Sequence, residues 1–213
     1  MRRSLINIGT SAFVVLMLCN GCASSRMRSV ANPQFKGRQY KRIVVASRAP
    51  HLDQQADAED IFVKKFSRMD GEWLRSLDVI FPGREYTDAE LFITLRQNKV
   101  DAMLIVRQTD YYEDEITYSQ TYGHLSATTY YHGHFGQTQG YASGTTMTQT
   151  IRKPRVRHQV ELYDVASKEV AWMGGSFTRG NAYARFKNLM HALASETRKE
   201  LLAHVFVVKK DGD

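Results

Sequence analysis

The sequence predicts an α+β fold: a mostly antiparallel sheet with two or three helices packed on one face, carrying a long polar β-hairpin or loop insertion. Three observations predict it. The stretch "RVRHQVELYDV" alternates, with Val156, His158, Val160 and Leu162 on one side and Arg157, Gln159 and Glu161 on the other, which is the period of a half-buried strand. A turn, "DVASKE", follows it, and "EVAWMGGSFTRG" then reads as the partner strand of a hairpin. Apolar residues also recur at helical spacing, first at Ala58, Phe62, Phe66, Met69 and Trp73, then at Ala182, Phe186, Leu189, Leu193 and Thr197, with Met190, Ala194, Leu201 and Val205 beside them.

The remaining elements follow in chain order. "YKRIVVAS", Tyr40 to Ser47, is a β-branched run of strand length. The Pro50 turn leads into the helix at Ala58, where Asp57, Glu59 and Asp60 are expected on the solvated face and Asp70-Gly71 as a stop or kink. "LDVIFP", Leu77 to Pro82, reads as a second short strand. Thr87-Asp88-Ala89-Glu90 is a capping box and opens a helix with Leu91, Phe92 and Leu95 on one face, stopping near Asn98. "VDAMLIVRQTDYYEDEITY" is a long strand, apolar first and polar later, and the chain closes with a helix from Ala182 to about His204.

Ahead of these elements stands "MRRSLINIGTSAFVVLML". Arg2 and Arg3 form a basic start, and the apolar run Ala12 to Leu18 is shorter than the roughly 18–20 residues a spanning helix needs. This is the pattern of a secretory signal. The only two cysteines, Cys19 and Cys22, are spaced C-x-x-C, as in redox sites and half of many zinc sites. No domain precedes them and no second pair follows, which argues against both. Gly21-Cys22-Ala23-Ser24-Ser25 instead resembles the lipobox of bacterial lipoproteins, from which Cys19 at −3 and Asn20 at −2 depart. The resemblance implies a signal peptide over 1–21, lipid attachment at Cys22, and an outer-membrane address with the domain facing the periplasm. Loss of Arg2 and Arg3 with the signal would lower the formal net charge from +7 to +5. That balance suits anionic surfaces such as phospholipid headgroups, and no nucleic-acid motif accompanies it.

Residues 22–38 lack apolar periodicity and carry Arg26, Arg28, Lys36 and Arg38. They read as a flexible basic tether, either lying along the membrane or simply solvated. A single periplasmic domain is expected over 39–208 and a polar tail over 209–213. The strands "KRIVVAS" and "VDAMLIV" and the segment "VELYDVASKEVAWMGG" with its closing helix resemble the small periplasmic domains of the TolB N-terminal type. These recur in curli-secretion lipoproteins, lipoprotein activators of penicillin-binding proteins and exopolysaccharide-export lipoproteins. The resemblance implies the α+β fold and an accessory envelope role, and the group shares no catalytic residues to carry over.

Between Glu115 and Arg152 lie 36 residues without a formal charge. Three readings of this insertion, 116–151, stay open: a loop or polar hairpin extending the sheet, a transmembrane β-hairpin, and a polar surface for self-association or glycan contact. Leu125, Ala127, Tyr131 and Phe135 alternate with polar residues, although Thr129 and Gly133 interrupt the apolar side. The candidate interaction surface is Tyr130, Tyr131, His132, His134, Phe135 and Tyr141. His132-x-His134 with His124 makes a metal site geometrically possible, but no cysteine or acidic residue joins them within the insertion. Cross-strand pairing of Arg152, Lys153, Arg155 and Arg157 with Glu113, Asp114 and Glu115 is expected to close the hairpin base. No G-x-S-x-G, H-E-x-x-H or phosphate-binding glycine loop occurs. The reading is therefore a non-enzyme without cofactor, anchored to a membrane and meeting a protein partner or a second copy; the alternative is a glycan- or metal-binding module.

Overall fold

Two segments of near-continuous apolar sequence build the centre of the sheet. In the computed structural model, which describes residues 21–132 and 135–209, these are β2 (Arg42–Arg48) and the start of β4 (Ala102–His132). They pair in parallel, Ile43 opposite Ala102 through Arg48 opposite Arg107. β3 (Glu72–Arg75) lies parallel to β2 on its other side. Both central strands are buried on two faces, which is why they lack polar alternation. Ile43, Val45, Leu104 and Val106 face one core, and Val44, Ala46, Met103 and Ile105 face a second.

The other half of the sheet is antiparallel. β5 (Phe135–Asp164) pairs with β6 (Val170–Gly180), and β6 pairs with β1 (Ala23–Ala31), completing the order β1-β6-β5-β4-β2-β3. The hairpin read from "VELYDVASKEVAW" is present as expected. The sheet as a whole is mixed, not mostly antiparallel. The reason is the crossover that carries the chain from β2 through α1 (Leu52–Phe66) to the parallel β3, and on through α2 (Ser76–Val79) and α3 (Asp88–Gln97) to β4.

The helices lie on both faces, which corrects the expected one-sided arrangement. α1 and α4 (Phe186–Ala203) cover the larger core with Phe62, Phe66, Leu193 and Leu201 against Val160, Leu162 and Trp172. Lys187 on α4 meets Asp57 on α1 at 2.8 Å. α3 brings Leu91, Phe92 and Leu95 to the smaller core with Leu74 and Val165. Thr87 caps α3, with the Glu90 amide donating to Thr87 Oγ1 and the Thr87 amide to Glu90 Oε2, as the capping box predicts. Three boundaries differ. α1 ends at Phe66, so Met69 and Trp73 reach the core from a turn and from β3. Leu77–Pro82 contributes to α2, not to a strand. The closing helix starts at Phe186, after Ala182.

The expected tether is instead edge strand β1 followed by a 3₁₀ turn (Pro33–Phe35). Its inward positions are half-buried Ala23, Ser25, Met27, Ser29 and Ala31, a period-2 pattern made from small residues and one methionine. Ser29 donates to Glu200 of α4 at 2.6 Å and meets His204 Nε2 at 3.0 Å, while Thr178 Oγ1 donates to Ser25 Oγ at 3.0 Å. Hydroxyls paired with α4 and β6 thus stand where apolar side chains would have announced the strand. Phe35, four residues beyond β1, is part of the core.

The chain divides into two units, 1–113 with 153–213, and 114–152. The second unit is a two-stranded ribbon formed by the distal parts of β4 and β5. Glu115 pairs with Arg152 at 2.8 Å, and Thr117–Thr150 and Thr121–Thr146 hydroxyl pairs cross the strands at 3.2 and 3.1 Å.

Candidate functional site

In the first unit, the outward positions of the antiparallel strands carry a concentration of arginine. Arg26 and Arg28 come from β1, Arg179 from β6, and Arg157 from β5. Strand register assembles them, because Arg26, Phe177 and Arg157 stand in one row across three strands, and Arg28, Gly175 and Gln159 in the row two residues along. These residues, with Met173 and Thr109, line an open cleft of about 840 Å³.

Aromatic and glycine positions shape this cleft. The Arg157 and Arg179 guanidinium carbons lie 5.7 and 5.8 Å from the Phe177 ring centroid, within cation–π range. Gly175 forms the floor. A Cβ there would meet nothing within 4 Å, whereas one on the adjacent Gly174 would come 3.0 Å from the Trp172 ring and 2.8 Å from Met27 sulfur. Gly174 is needed by the core; Gly175 is needed by no packing contact, and what its missing side chain does is leave the surface hollow.

Charge is compensated at one end. Arg107 meets Glu161 at 3.3 Å, and Glu161 also accepts from Gln159 and Tyr163. Arg157 reaches Asp110 only at 3.9 Å. Arg26, Arg28 and Arg179 have no carboxylate within 4.0 Å among the described residues. A surface with three such guanidiniums and an aromatic ring can bind oxyanions by bidentate hydrogen bonds. The sequence places Arg157 at the hairpin base but does not show its pairing across β6 with β1; the two mid-strand glycines of "MGGSF" are the local signal of an unusual surface.

Cys22 is exposed and directly precedes β1, and its carbonyl accepts the Asn181 amide at 2.9 Å. Residues 1–20 of the signal segment, Cys19 included, lie outside the described residues, as does the tail beyond Lys209. Tyr130, Tyr131 and His132 belong to β4 and Phe135 to β5 by backbone, with their side chains outside what is described; His134 lies outside the described residues altogether. Tyr141 is 73% exposed on β5. Of that candidate surface, the side chain of Tyr141 alone lies among those described. Among the described residues, no three His, Cys, Asp or Glu side chains are grouped to hold a metal ion.

Two polar residues are buried, His158 on the side its strand pattern predicts and Glu59 against expectation. His158, on the inward side of β5, is 4% exposed, and burial pushes its imidazole down to about 4. Glu59, expected on the solvated face of α1, is fully buried and accepts four hydrogen bonds, from Ser47, Gln55, Ser76 and Leu77. The helical period places it beside Phe62 and Ala58 as well as beside solvent, and only the approach of β2 and α2 decides between them.

No family model matches the chain, and no curated relative does. Among solved structures it is similar to the PelC dodecamer of Paraburkholderia phytofirmans, with a TM-score of 0.47 and 15% identity, covering 84% of this chain and 96% of that one. A second PelC dodecamer of that organism gives a TM-score of 0.47 and 15% identity over 81% and 94% of the two chains. A PDZ domain protein of Parabacteroides distasonis gives a TM-score of 0.31 and 7% identity, covering 88% of this chain and 39% of that one.

Proposed function

We propose that this is a lipid-anchored cell-envelope protein with a structural or accessory role, held at the outer membrane through Cys22 with its domain in the periplasm. It binds a protein partner or a second copy of itself through the uncharged ribbon. The observation that carries this reading is the ribbon's construction. A two-stranded hairpin is marginal in water by itself, and among the described residues this one contributes none to either hydrophobic core. Its described side chains are exposed threonines, glutamines and tyrosines, among them Tyr118, Tyr122 and Tyr141. Without charge to repel a neighbouring strand, its edges suit pairing with another chain.

The test replaces Thr117–Thr150 by an Asn-Gly turn and follows assembly by light scattering and crosslinking. Loss of assembly with an unchanged melting temperature supports the reading. Unchanged assembly sinks the ribbon as its surface, and loss of glycan or metal binding alone would favour a ligand-binding module. Intact mass of membrane-extracted protein, beside Cys22→Ser, tests the anchor: an unmodified full-length mass removes it.

A further inference from the structure

We propose that the arginine cleft is a binding site for the phosphate groups of anionic phospholipid. The source of the phosphate follows from where the site sits on the chain. β1 begins at the residue after Cys22, with no tether between. At about 3.3 Å per strand residue, Arg26 stands about 13 Å from Cys22 and Arg28 about 20 Å. Arg179 is opposite Ser24 in the register, one row nearer the anchor than Arg26. An acyl chain on Cys22 holds that residue at the headgroup level, so the guanidiniums nearest to it are presented to lipid phosphates. This supply of ligand rests on the anchoring reading above; the chemistry of the cleft does not.

The cleft itself has the parts a phosphodiester headgroup needs. Arg28 flanks the Gly175 floor on one side and Gln159 on the other, giving guanidinium and amide donors on either side of an open depression. Arg157 and Arg179 lie close to the Phe177 ring, an apolar body beside cations that matches the interface between headgroup and acyl chain. Asp110 sits at 3.9 Å from Arg157 at the edge. Arginines at a membrane surface attract anionic lipid by about fivefold each, and a hollow in which several converge adds headgroup selectivity to that general attraction.

Calorimetric titration of the purified protein in nonionic detergent, with short-chain dihexanoyl phosphatidylglycerol below its micellar concentration, tests the site. Dihexanoyl phosphatidylcholine and inorganic phosphate serve as comparators. The expected result is phosphatidylglycerol binding at least tenfold tighter than either comparator. Gly175→Leu, whose Cβ would meet nothing within 4 Å, should weaken it about tenfold at an unchanged melting temperature. Arg28→Gln, a substitution at an exposed position, should weaken it about fivefold and remains informative if Gly175→Leu fails to fold. Equal binding of the two lipids, no binding of phosphatidylglycerol, or inorganic phosphate binding as tightly as phosphatidylglycerol would each overturn the proposal. Intact mass of the same sample separates the two readings. Acylated protein that does not select phosphatidylglycerol retains the anchor and loses this site, and unacylated protein that selects it does the reverse.

Discussion

Ser76, the first residue of α2, donates its hydroxyl to Glu59 Oε1 of α1 at 2.6 Å in the protein interior. Oε1 also accepts the Ser47 amide and the Gln55 side chain, each at 3.1 Å, and Oε2 accepts the Leu77 amide at 3.2 Å. One carboxylate thus joins the end of β2, the middle of α1 and the start of α2. Glu59→Ala leaves two backbone amides and a hydroxyl without an acceptor and should cost about 2–4 kcal/mol. Glu59→Gln retains an acceptor for the three Oε1 donors and should cost less. Urea unfolding of both variants checks the order; equal stabilities would show that the donors find water instead.

His158 makes stability depend on pH. Its neutral form is favoured by burial beside Val106, Phe186 and Met190, and its folded-state value of about 4 lies below the unfolded value near 6.5. The unfolded state therefore binds a proton that the folded state does not. Stability is fully present above the unfolded value and is lost as pH falls from about 6.5 towards about 4. Between pH 7 and pH 5 the imidazole should account for a drop of about 2 kcal/mol. His158→Leu should remove that share of the slope in denaturant titrations at the two pH values. An identical slope in wild type and variant would assign the pH dependence elsewhere.

Gly71 is required by its backbone. Its φ is +102°, and a Cβ would lie 2.5 Å from the Lys41 carbonyl oxygen, where the chain turns from α1 into β3. Gly71→Ala should destabilise by about 2–3 kcal/mol, since strain at a positive φ adds to the clash. Thermal unfolding reads the loss, and a variant as stable as wild type would mean the turn relaxes.

β1 distinguishes a strand from a tether directly. Alternate amides of β1, at Ser24, Arg26, Arg28 and Val30, which face β6, should show slow hydrogen exchange. Met27 packs against the large core, so Met27→Asp should cost about 2 kcal/mol through burial of a carboxylate. In a tether the same substitution would be silent and the amides would exchange at once.

What the sequence determined by itself is local. Thr87 and Glu90 cap α3 because the capping box lies within one helical turn, and "VELYDVASKEVAW" forms its hairpin because strand, turn and return are contiguous. Glu115 and Arg152 meet because the hairpin between them sets the register. Continuous apolar runs at β2 and β4 already carried the sign of strands buried on both faces, although period-2 reasoning favoured an antiparallel sheet. Tertiary structure decided the rest. Arg26 and Phe177 are adjacent only because β1 closes the edge beside β6, and nothing within nine residues of polar and small side chains specifies that partner. Likewise Glu59 is buried because β2 and α2 arrive from elsewhere in the chain, bringing the donors that make an interior carboxylate tolerable. Local periodicity selects helix or strand, whereas the choice of which faces meet depends on packing free energy summed over residues far apart in sequence, and that is where the cleft was made.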